Sequence, residues 1–563
     1  MTNKQLIECV PNFSEGNDMN IINQITSEIE SVEGVRLIDV DPGKATNRTV
    51  VTMVGTPNEV CEAAFRAVKK AAELIDMSKH KGAHPRFGAT DVCPLVPVSN
   101  ISMEETVDYA RKLAKRIGEE LGIGVYCYEF AAYEEKRGNL ANCREGEYEA
   151  LPKRLNDPVW KPDFGPTTFN PKSGVTAVGA RNFLVAYNVN LNTTSTRRAN
   201  AIAFDIRERG RPQRIGNPVT GKKALDEKGN EIWIPGSLKA CKAIGWFIDE
   251  YGIAQISINL TDITITPVHL AFEEVCKKAQ ERGLRVTGSE LVGVIPLQAM
   301  LEAGKYFLRK QNRSTGISDS EIIKIAVKSL GLDELYPFDP KKKIIEYILE
   351  DNSKKKLVDM TFKGFTEETA SESPAPGGGS ISAAMGAMGA ALGTMVANLS
   401  AHKPGWDDRW EEFSQWAERG KVFMDQLMNL IDEDTNAFNR IMDAFGLPKS
   451  TEEEKAIRKK AIDDATIYAI EVPFKVMQLC YQSMGVMKAM AEIGNPNSVS
   501  DAGVGALAAR SGVIGAFLNV KINAAGLEDK SKVSDYLKRG EEIVENANLL
   551  EREILEIVNI KIC

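Results

Sequence analysis

A chain of 563 residues, 43 % of them apolar and 26 % charged, has the composition of a globular protein, which argues against extended disorder. It is also too long for one hydrophobic core. A net charge of -8, with the short Lys runs 341–343 and 354–356 confined to linkers, argues against a nucleic-acid partner, because a phosphate backbone asks for a basic face. Nine scattered cysteines with no C-x-x-C pair argue against a zinc ribbon or a secreted disulfide framework; with an N-terminus lacking a signal-peptide core, they point to a cytoplasmic protein.

In chain order, residues 6–13 read as a strand, 17–32 as an amphipathic helix, 35–41 and 48–55 as strands, 57–75 as a helix and 91–98 as a strand. That order, strand-helix-strand-strand-helix-strand, is the ferredoxin-like βαββαβ arrangement, extended here by a helix near 103–121 and a strand at 124–130. The order returns from residue 183: strand 183–191, helix 194–209, strands 243–249 and 254–260, helix 267–282 and strand 285–295. Between the second unit's first helix and its next strand lies a polar excursion, about Gly210 to Ser237, with no obvious chemistry.

From about residue 358 the short β-branched segments give way to long runs of 3.6-residue periodicity, so an all-α helical bundle is expected there. The predicted fold class is therefore multidomain: a duplicated ferredoxin-like α/β half followed by an all-helical half. The expected divisions are 1–182, 183–348, a polar linker at 349–357, and 358–563. The most apolar stretch, Ala383 to Ala397, is built of Ala, Gly and Met; it reads as a packed soluble helix, too short to span a bilayer.

Two of the four histidines lie in His80-Lys81-Gly82-Ala83-His84-Pro85-Arg86. Their i, i+4 spacing suits a metal pair, but Gly82 and Pro85 break the helix that would align them and no third ligand is near. The other readings are a solvated loop, or an acid/base imidazole beside the cations Lys81 and Arg86. A second loop, Gly165-Pro166-Thr167-Thr168-Phe169-Asn170-Pro171-Lys172-Ser173-Gly174, lets a flat ligand approach its backbone or simply connects two elements; it lacks the phosphate-binding pattern.

In the helical half, Gly377-Gly378-Gly379-Ser380 opens a small-residue helix, either as a ligand cradle of free backbone N–H groups or as a flexible entry. Leu427, Leu430, Ile431, Phe438 and Ile441 stand at −7, −4, −3, +4 and +7 from Asp434, which puts a carboxylate on an apolar stripe. Such a group is either a satisfied core carboxylate or, with its pKa raised by burial, a proton donor. Its neighbours Asp432 and Glu433 fall on more polar faces.

Several longer stretches carry a resemblance: ECVPNFSEG at 8–16, TNRTV at 46–50, HKGAHPR at 80–86, DVCP at 91–94, REGEYEALP at 144–152, PDFGP at 162–166 and APGGGS at 375–380. On these, residues 1 to about 345 resemble glutamate formimidoyltransferases and about 358 to 563 resemble formimidoyltetrahydrofolate cyclodeaminases, as joined in the formimidoyltransferase-cyclodeaminase family. The resemblance implies a bifunctional enzyme of histidine degradation, both transferase and ammonia-lyase. It would move a formimidoyl group from N-formimidoyl-L-glutamate to tetrahydrofolate, then close 5-formimidoyltetrahydrofolate to 5,10-methenyltetrahydrofolate with loss of ammonia.

By that resemblance His84 is the transferase acid/base, Asp41 and Arg86 are its companions, and the folate loop is Gly165 to Gly174. Asp434, in the D-x-D-x-x-A-F stretch 432–438, is the proton donor of the second step. Lys81 or Arg86 would hold a donor carboxylate, and Gly377 to Ser380 would contact folate. Tetrahydrofolate, in polyglutamylated form, is the implied co-substrate; a circular homo-octamer is implied, and neither a metal, a nucleic acid nor a membrane span is. The competing readings are a helical half acting as methenyltetrahydrofolate cyclohydrolase, and a folate-binding scaffold without turnover. The 210–237 excursion is longer than the resemblance leads one to expect.

Overall fold

A computed structural model describes residues 4–43, 47–82, 86–216, 221–350 and 356–562. The chain divides into two compact units. The first comprises residues up to 303 together with 327–350, and the second residues 304–326 together with the remainder.

The first unit holds two sheets. In the first, β1 (Leu6–Cys9) and β2 (Asn12–Phe13) are two pieces of the strand expected over 6–13, interrupted where Pro11 has no N–H for the ladder. β3 (Val35–Gly43), β4 (Arg48–Gly55) and β5 (Thr90–Ser99) pair antiparallel with them, and β6 (Gly124–Glu129) and β7 (Val175–Ala180) extend the sheet in parallel. The order is β3, β4, β1/β2, β5, β7, β6. Helices α1 (Met19–Glu30), α2 (Pro57–Leu74) and α3 (Met103–Leu121) accompany this sheet; α3 begins with the Ser102–Glu105 capping box and ends on Gly122 at φ +64°. Ile7, Cys9, Phe13, Val51, Met53, Cys93 and Leu95 share one core with apolar residues of those helices. By strand alternation the other face carries Glu8, Asn12, Arg48, Val50 and Asp41, since Glu8 lies opposite Val54, Asn12 opposite Val50, and Asp41 opposite Val50.

The second sheet is the duplicate. β8 (Val185–Leu191) is followed by the two-residue strands β9 (Arg211–Pro212) and β10 (Trp233–Ile234), then β11 (Cys241–Ile248), β12 (Ile253–Leu260) and β13 (Val286–Val292). Its order, β11, β12, β8, β13, is all antiparallel and repeats that of β3, β4, β1/β2, β5, with α4 (Thr196–Ile206) and α5 (Val268–Gln280) in the matching places. The excursion at 210–237 is anchored at its base: β9 pairs with β10, and the backbone of Gly210 runs so close to Ile234 and Gly236 that a side chain would not fit.

The second unit is helical: α6 (Gly378–Ala401), α7 (Trp410–Gly446), α8 (Glu452–Ile493), α9 (Val499–Ala524) and α10 (Lys530–Ile562). Glycines let the backbones of α6 and α9 touch; a methyl on Gly389 would come within 2.7 Å of Gly505 O. Residues 304–326 pack within this unit through Thr315 N donating to Ser414 Oγ (3.0 Å), Asn398 Nδ2 to Gly316 O (2.8 Å), and the Lys421–Asp319 ion pair (2.8 Å).

Two expectations change. The Ala/Gly/Met helix is longer than the 383–397 stretch; at 24 residues, and with the 496–524 segment at 29, it has the length and hydropathy of a membrane span. Within the unit 67 % and 50 % of these stretches are buried, and their small residues permit close packing against the neighbouring helices. The stripe on α7 also turns: Phe438 is 44 % exposed, while Ala437 and Ala444 are buried in its place. The 3.6-residue period drifts against a strict seven-residue repeat along a 37-residue helix.

Candidate functional site

On the transferase side, His84 lies outside the described residues, as do Ala83 and Pro85. Their described neighbours are fixed. His80 is buried with Nε2 2.8 Å from Asn47 O, and Asn47 Nδ2 donates to Lys81 O (2.9 Å), so the β3–β4 turn and the histidine loop hold each other. Asn47 takes φ 49°, a left-handed geometry asparagine tolerates. Asp41 stands exposed two residues from the described end of β3, on the face away from α1–α3. Lys81 is exposed.

Arg86, expected as a companion of His84 and a holder of a donor carboxylate, has protein contacts of its own. Its guanidinium donates to His80 O and to Glu149, lies 5.1 Å over the Tyr148 ring, and holds the Glu149 carboxyl below its ordinary range. Tyr148 is the hinge pin of the region: its N–H donates to Arg86 O (2.9 Å), its hydroxyl to Pro171 O (2.5 Å), and its ring lies 5.4 Å from that of Phe169. The 165–174 loop is thereby joined to the histidine loop, with Met77 N donating to Lys172 O (2.9 Å) and Ala89 N to Ser173 O (2.8 Å).

Within that loop Gly165, Pro166, Thr167 and Thr168 are exposed, and Asn170 Oδ1 accepts from the N–H groups of Lys172 (3.0 Å) and Ser173 (3.3 Å). Ser173 and Gly174 are buried; Gly174 has φ 62° and lies against Phe87 O. Both end glycines have positive φ, so the turn geometry, and not only ligand access, requires them.

Sequence reasoning missed a charged cluster on the same sheet face as Asp41. Asn12 pairs with Val92 and Phe13 with Thr90, which leaves Asp91 as the extra residue of a bulge. Asp91 is 1 % exposed; Arg144 reaches it through Nε (3.1 Å) and Nη2, and Arg48 Nη2 lies 3.4 Å away while also donating to Asn12 Oδ1 (2.5 Å). The signal was present: these four residues come from four of the quoted stretches, ECVPNFSEG, TNRTV, DVCP and REGEYEALP. On the second sheet, Glu290 accepts from Tyr336 (2.8 Å), Asn188 (3.1 Å), Gln255 (3.3 Å) and Tyr251 (3.3 Å), a hub equally unforeseen.

In the helical unit, Asp434 and the glycine run come together. Asp434 Oδ2 accepts from Ser380 N (2.9 Å) and Ser380 Oγ (3.1 Å) at the first turn of α6. Burial pushes its carboxyl above the ordinary range, opposed by the two Ser380 hydrogen bonds. Gly379 is required here, for a methyl would fall on the carboxylate, 2.5 Å from Cγ and 2.6 Å from Oδ2. Gly377 is the N-cap, and Gly378 lies under the Asn519 amide. Asp432 is not a bystander on a polar face: it accepts from Leu357 N (2.6 Å) and Val358 N (3.3 Å), closing the turn that precedes the bundle. Glu433 accepts from the Tyr468 hydroxyl. Among the described residues no group of three or more His, Cys, Asp or Glu side chains is arranged to hold a metal.

Three family descriptions match the chain: the formiminotransferase domain, N-terminal subdomain, over residues 6–181; the formiminotransferase domain over 186–350; and formiminotransferase-cyclodeaminase over 361–542. The formimidoyltransferase-cyclodeaminase of Dictyostelium discoideum is 42 % identical over 557 residues, covering 99 % of both chains. The chain belongs to the formimidoyltransferase-cyclodeaminase family. The Mus musculus member is 42 % identical over 526 residues, 93 % of each chain. The helical half has a further relative, the methenyltetrahydrofolate cyclohydrolase of Methylorubrum extorquens, 39 % identical over 202 residues, which are 36 % of this chain and 97 % of that one. The three matched segments follow the architecture of this family member: first sheet, second sheet, helical bundle.

Proposed function

We propose that the sheet-bearing unit transfers a formimidoyl group from N-formimidoyl-L-glutamate to N5 of tetrahydrofolate, and that the helical unit closes the product to 5,10-methenyltetrahydrofolate with release of ammonia. Attack of N5 on the formimidoyl carbon gives a tetrahedral centre that must expel glutamate, so one nitrogen must lose a proton and another gain one. His84 is the group for that shuttle and Asp41 its companion, a reading supported by the matched stretch 80–86 and by the place of Asp41 on the sheet face beside the histidine loop. The 165–174 loop, which Tyr148 ties to the same loop, is the folate contact. In the second step N10 attacks the same carbon, and ammonia leaves only if its nitrogen is protonated.

The observation that carries the proposal is the Asp434 carboxyl. It is half-buried, raised in pKa by burial, and set against Gly379 and Ser380 at the mouth of α6, where an acid can meet a ligand lying on the glycines. Asp434→Asn keeps the shape and removes the titrating proton. With both substrates supplied, it should transfer at the parent rate, accumulate 5-formimidoyltetrahydrofolate and lose roughly 10²–10⁴-fold in ammonia release. Ammonia release at the parent rate would sink the proton-donor role.

The cyclohydrolase relative supports a second reading, in which the helical unit hydrolyses methenyltetrahydrofolate. Hydrolysis of supplied methenyltetrahydrofolate without ammonia release from the formimidoyl compound would favour it. A homo-oligomer is part of the proposal, since α9 presents Val504, Leu507, Leu518 and Ile522 to the surface of its unit, a ridge of the kind an isologous partner covers. The cytoplasm is the proposed compartment, on the scattered cysteines of the sequence.

A further inference from the structure

Helices α6 and α9 run antiparallel and touch through a regular row of small residues. A methyl on Gly389 would come within 2.7 Å of Gly505 O, one on Gly512 within 2.8 Å of Ser382 O, and one on Gly515 within 2.5 Å of Ser382 Oγ. One turn beyond Gly515 the row ends on Asn519, and the residue facing it on α6 is Gly378, where a methyl would lie 3.2 Å from Asn519 Nδ2 and 3.5 Å from Oδ1. The next residue of α6, Gly379, is the one pressed against the Asp434 carboxylate. Consecutive Cα atoms stand about 3.8 Å apart, so the carboxamide and the carboxyl flank neighbouring residues at the mouth of α6.

The carboxamide has a fixed sense. Asn519 Nδ2 donates to Gly515 O (2.9 Å), and a carbonyl only accepts, so the amine end is committed and Oδ1 is the open acceptor. No group among the described residues donates to that oxygen. The committed bond joins α9 only to itself, whereas Asn523 Nδ2, one turn on, crosses to Ala469 O (2.7 Å) on α8. Asparagine is among the weaker helix formers, and a half-buried one that bridges no other element is not explained by folding. Asp434 matches it: Ser380 N and Oγ both donate to Oδ2, which leaves Oδ1 as the edge open to a ligand.

Resting on the function proposed above, we infer that Asn519 Oδ1 accepts an N–H of the formimidoyl nitrogen of 5-formimidoyltetrahydrofolate beside Asp434, and so selects the formimidoyl group over a formyl group. That nitrogen carries hydrogen in every protonation state. When N10 bonds to the carbon it gives up its proton, the departing nitrogen gains one from Asp434, and the C–N bond breaks with its electron pair leaving on ammonia. The formimidoyl cation and the methenyl product bear the same charge, so the proton lost by N10 restores Asp434. A formyl oxygen in the same place has no hydrogen; it would set lone pair against lone pair and leave Asn519 Oδ1 unpaired. A protonated Asp434 donates to either atom, so the distinction falls to Asn519.

The test uses the full-length protein with 5-formimidoyltetrahydrofolate as substrate, 5-formyltetrahydrofolate as competitor and ammonia as the signal. In the parent the competitor's Ki should exceed the substrate's KM by at least about tenfold, the weight of one acceptor left unpaired. Asn519→Leu, similar in size and a better helix former, should lower kcat/KM for ammonia release by about 10–100-fold and bring the ratio of Ki to KM to about one, with formimidoyl transfer unchanged. Asn519→Asp keeps an acceptor and should keep the ratio above that of Asn519→Leu. Damage to the helical packing would weaken both ligands alike and leave the ratio standing. A parental ratio in Asn519→Leu therefore overturns the assignment, as does a parent that holds both compounds equally. The second comparison needs no variant and decides the matter if circular dichroism shows Asn519→Leu unfolded. A parent that releases no ammonia from 5-formimidoyltetrahydrofolate overturns the proposed function instead, so the two failures are separable.

Discussion

Gly379→Ala isolates the geometry on which ammonia release depends, because it adds one methyl and alters no ionisable group. Gly379 is buried in the first turn of α6, where alanine ordinarily favours a helix by about 1 kcal/mol over glycine. Here the methyl would overlap the Asp434 carboxylate, so the carboxylate must move off Ser380 N and Ser380 Oγ. With Asp434 protonated as its role requires, each hydrogen bond contributes about 0.5–1.5 kcal/mol, so losing both offsets the helix gain and leaves a net destabilisation of up to about 2 kcal/mol. The displaced acid no longer faces its substrate, and ammonia release should fall by roughly 10²–10⁴-fold with transfer intact. Gly485→Ala is the control. That glycine lies exposed within α8 with nothing within 4 Å of the added methyl, so the helical unit should gain up to about 1 kcal/mol and keep its rate. Urea unfolding and ammonia release from supplied 5-formimidoyltetrahydrofolate measure both effects. Parental stability and parental ammonia release in Gly379→Ala would refute the assigned placement of Asp434.

Glu8 gives a pH signature. Burial lifts its carboxyl from the ordinary 4.5 to about 7, opposed by Arg181. A raised carboxyl favours the folded state below pH 4.5, and this contribution is lost as pH rises through 7, a loss of about 3 kcal/mol in all. Glu8→Gln should therefore raise the urea midpoint of the sheet-bearing unit at pH 8 and do little near pH 4.5; an equal change at both would contradict the assignment. Tyr148→Phe removes the hydroxyl that donates to Pro171 O at 2.5 Å and should cost about 1 kcal/mol and raise the KM for tetrahydrofolate several-fold, with the donor KM unchanged. A change confined to the donor would place the 165–174 loop on the wrong substrate.

The elements legible in the sequence are those whose two faces differ. β3 and β4 alternate, α1 to α3 repeat apolar residues at 3.6, and the duplicated order follows from them. β7 (VTAVGA) was not foreseen, because a strand between two parallel neighbours is buried on both faces and shows no alternation. Asp434 was legible as an acid on an apolar stripe; its partner Ser380, 54 residues away, was not. Asp91 reads as an ordinary strand residue until the bulge at Asn12–Phe13 is known, for only the register decides which face it meets. Arg86 shows the complementary limit: closeness in sequence to His84 suggested substrate, and folding adds a contact with Glu149, 63 residues on, that the sequence did not announce.

The central claim is that one chain carries both reactions in sequence, and following two signals in one vessel tests it most directly. With N-formimidoyl-glutamate and tetrahydrofolate supplied to the purified full-length protein, methenyl absorbance and ammonia should rise together in equal amounts, with glutamate released at least as fast. Glutamate release without ammonia would remove the second activity. Ammonia without methenyl absorbance would replace ring closure by another hydrolysis, and the absence of all three products would contradict the account.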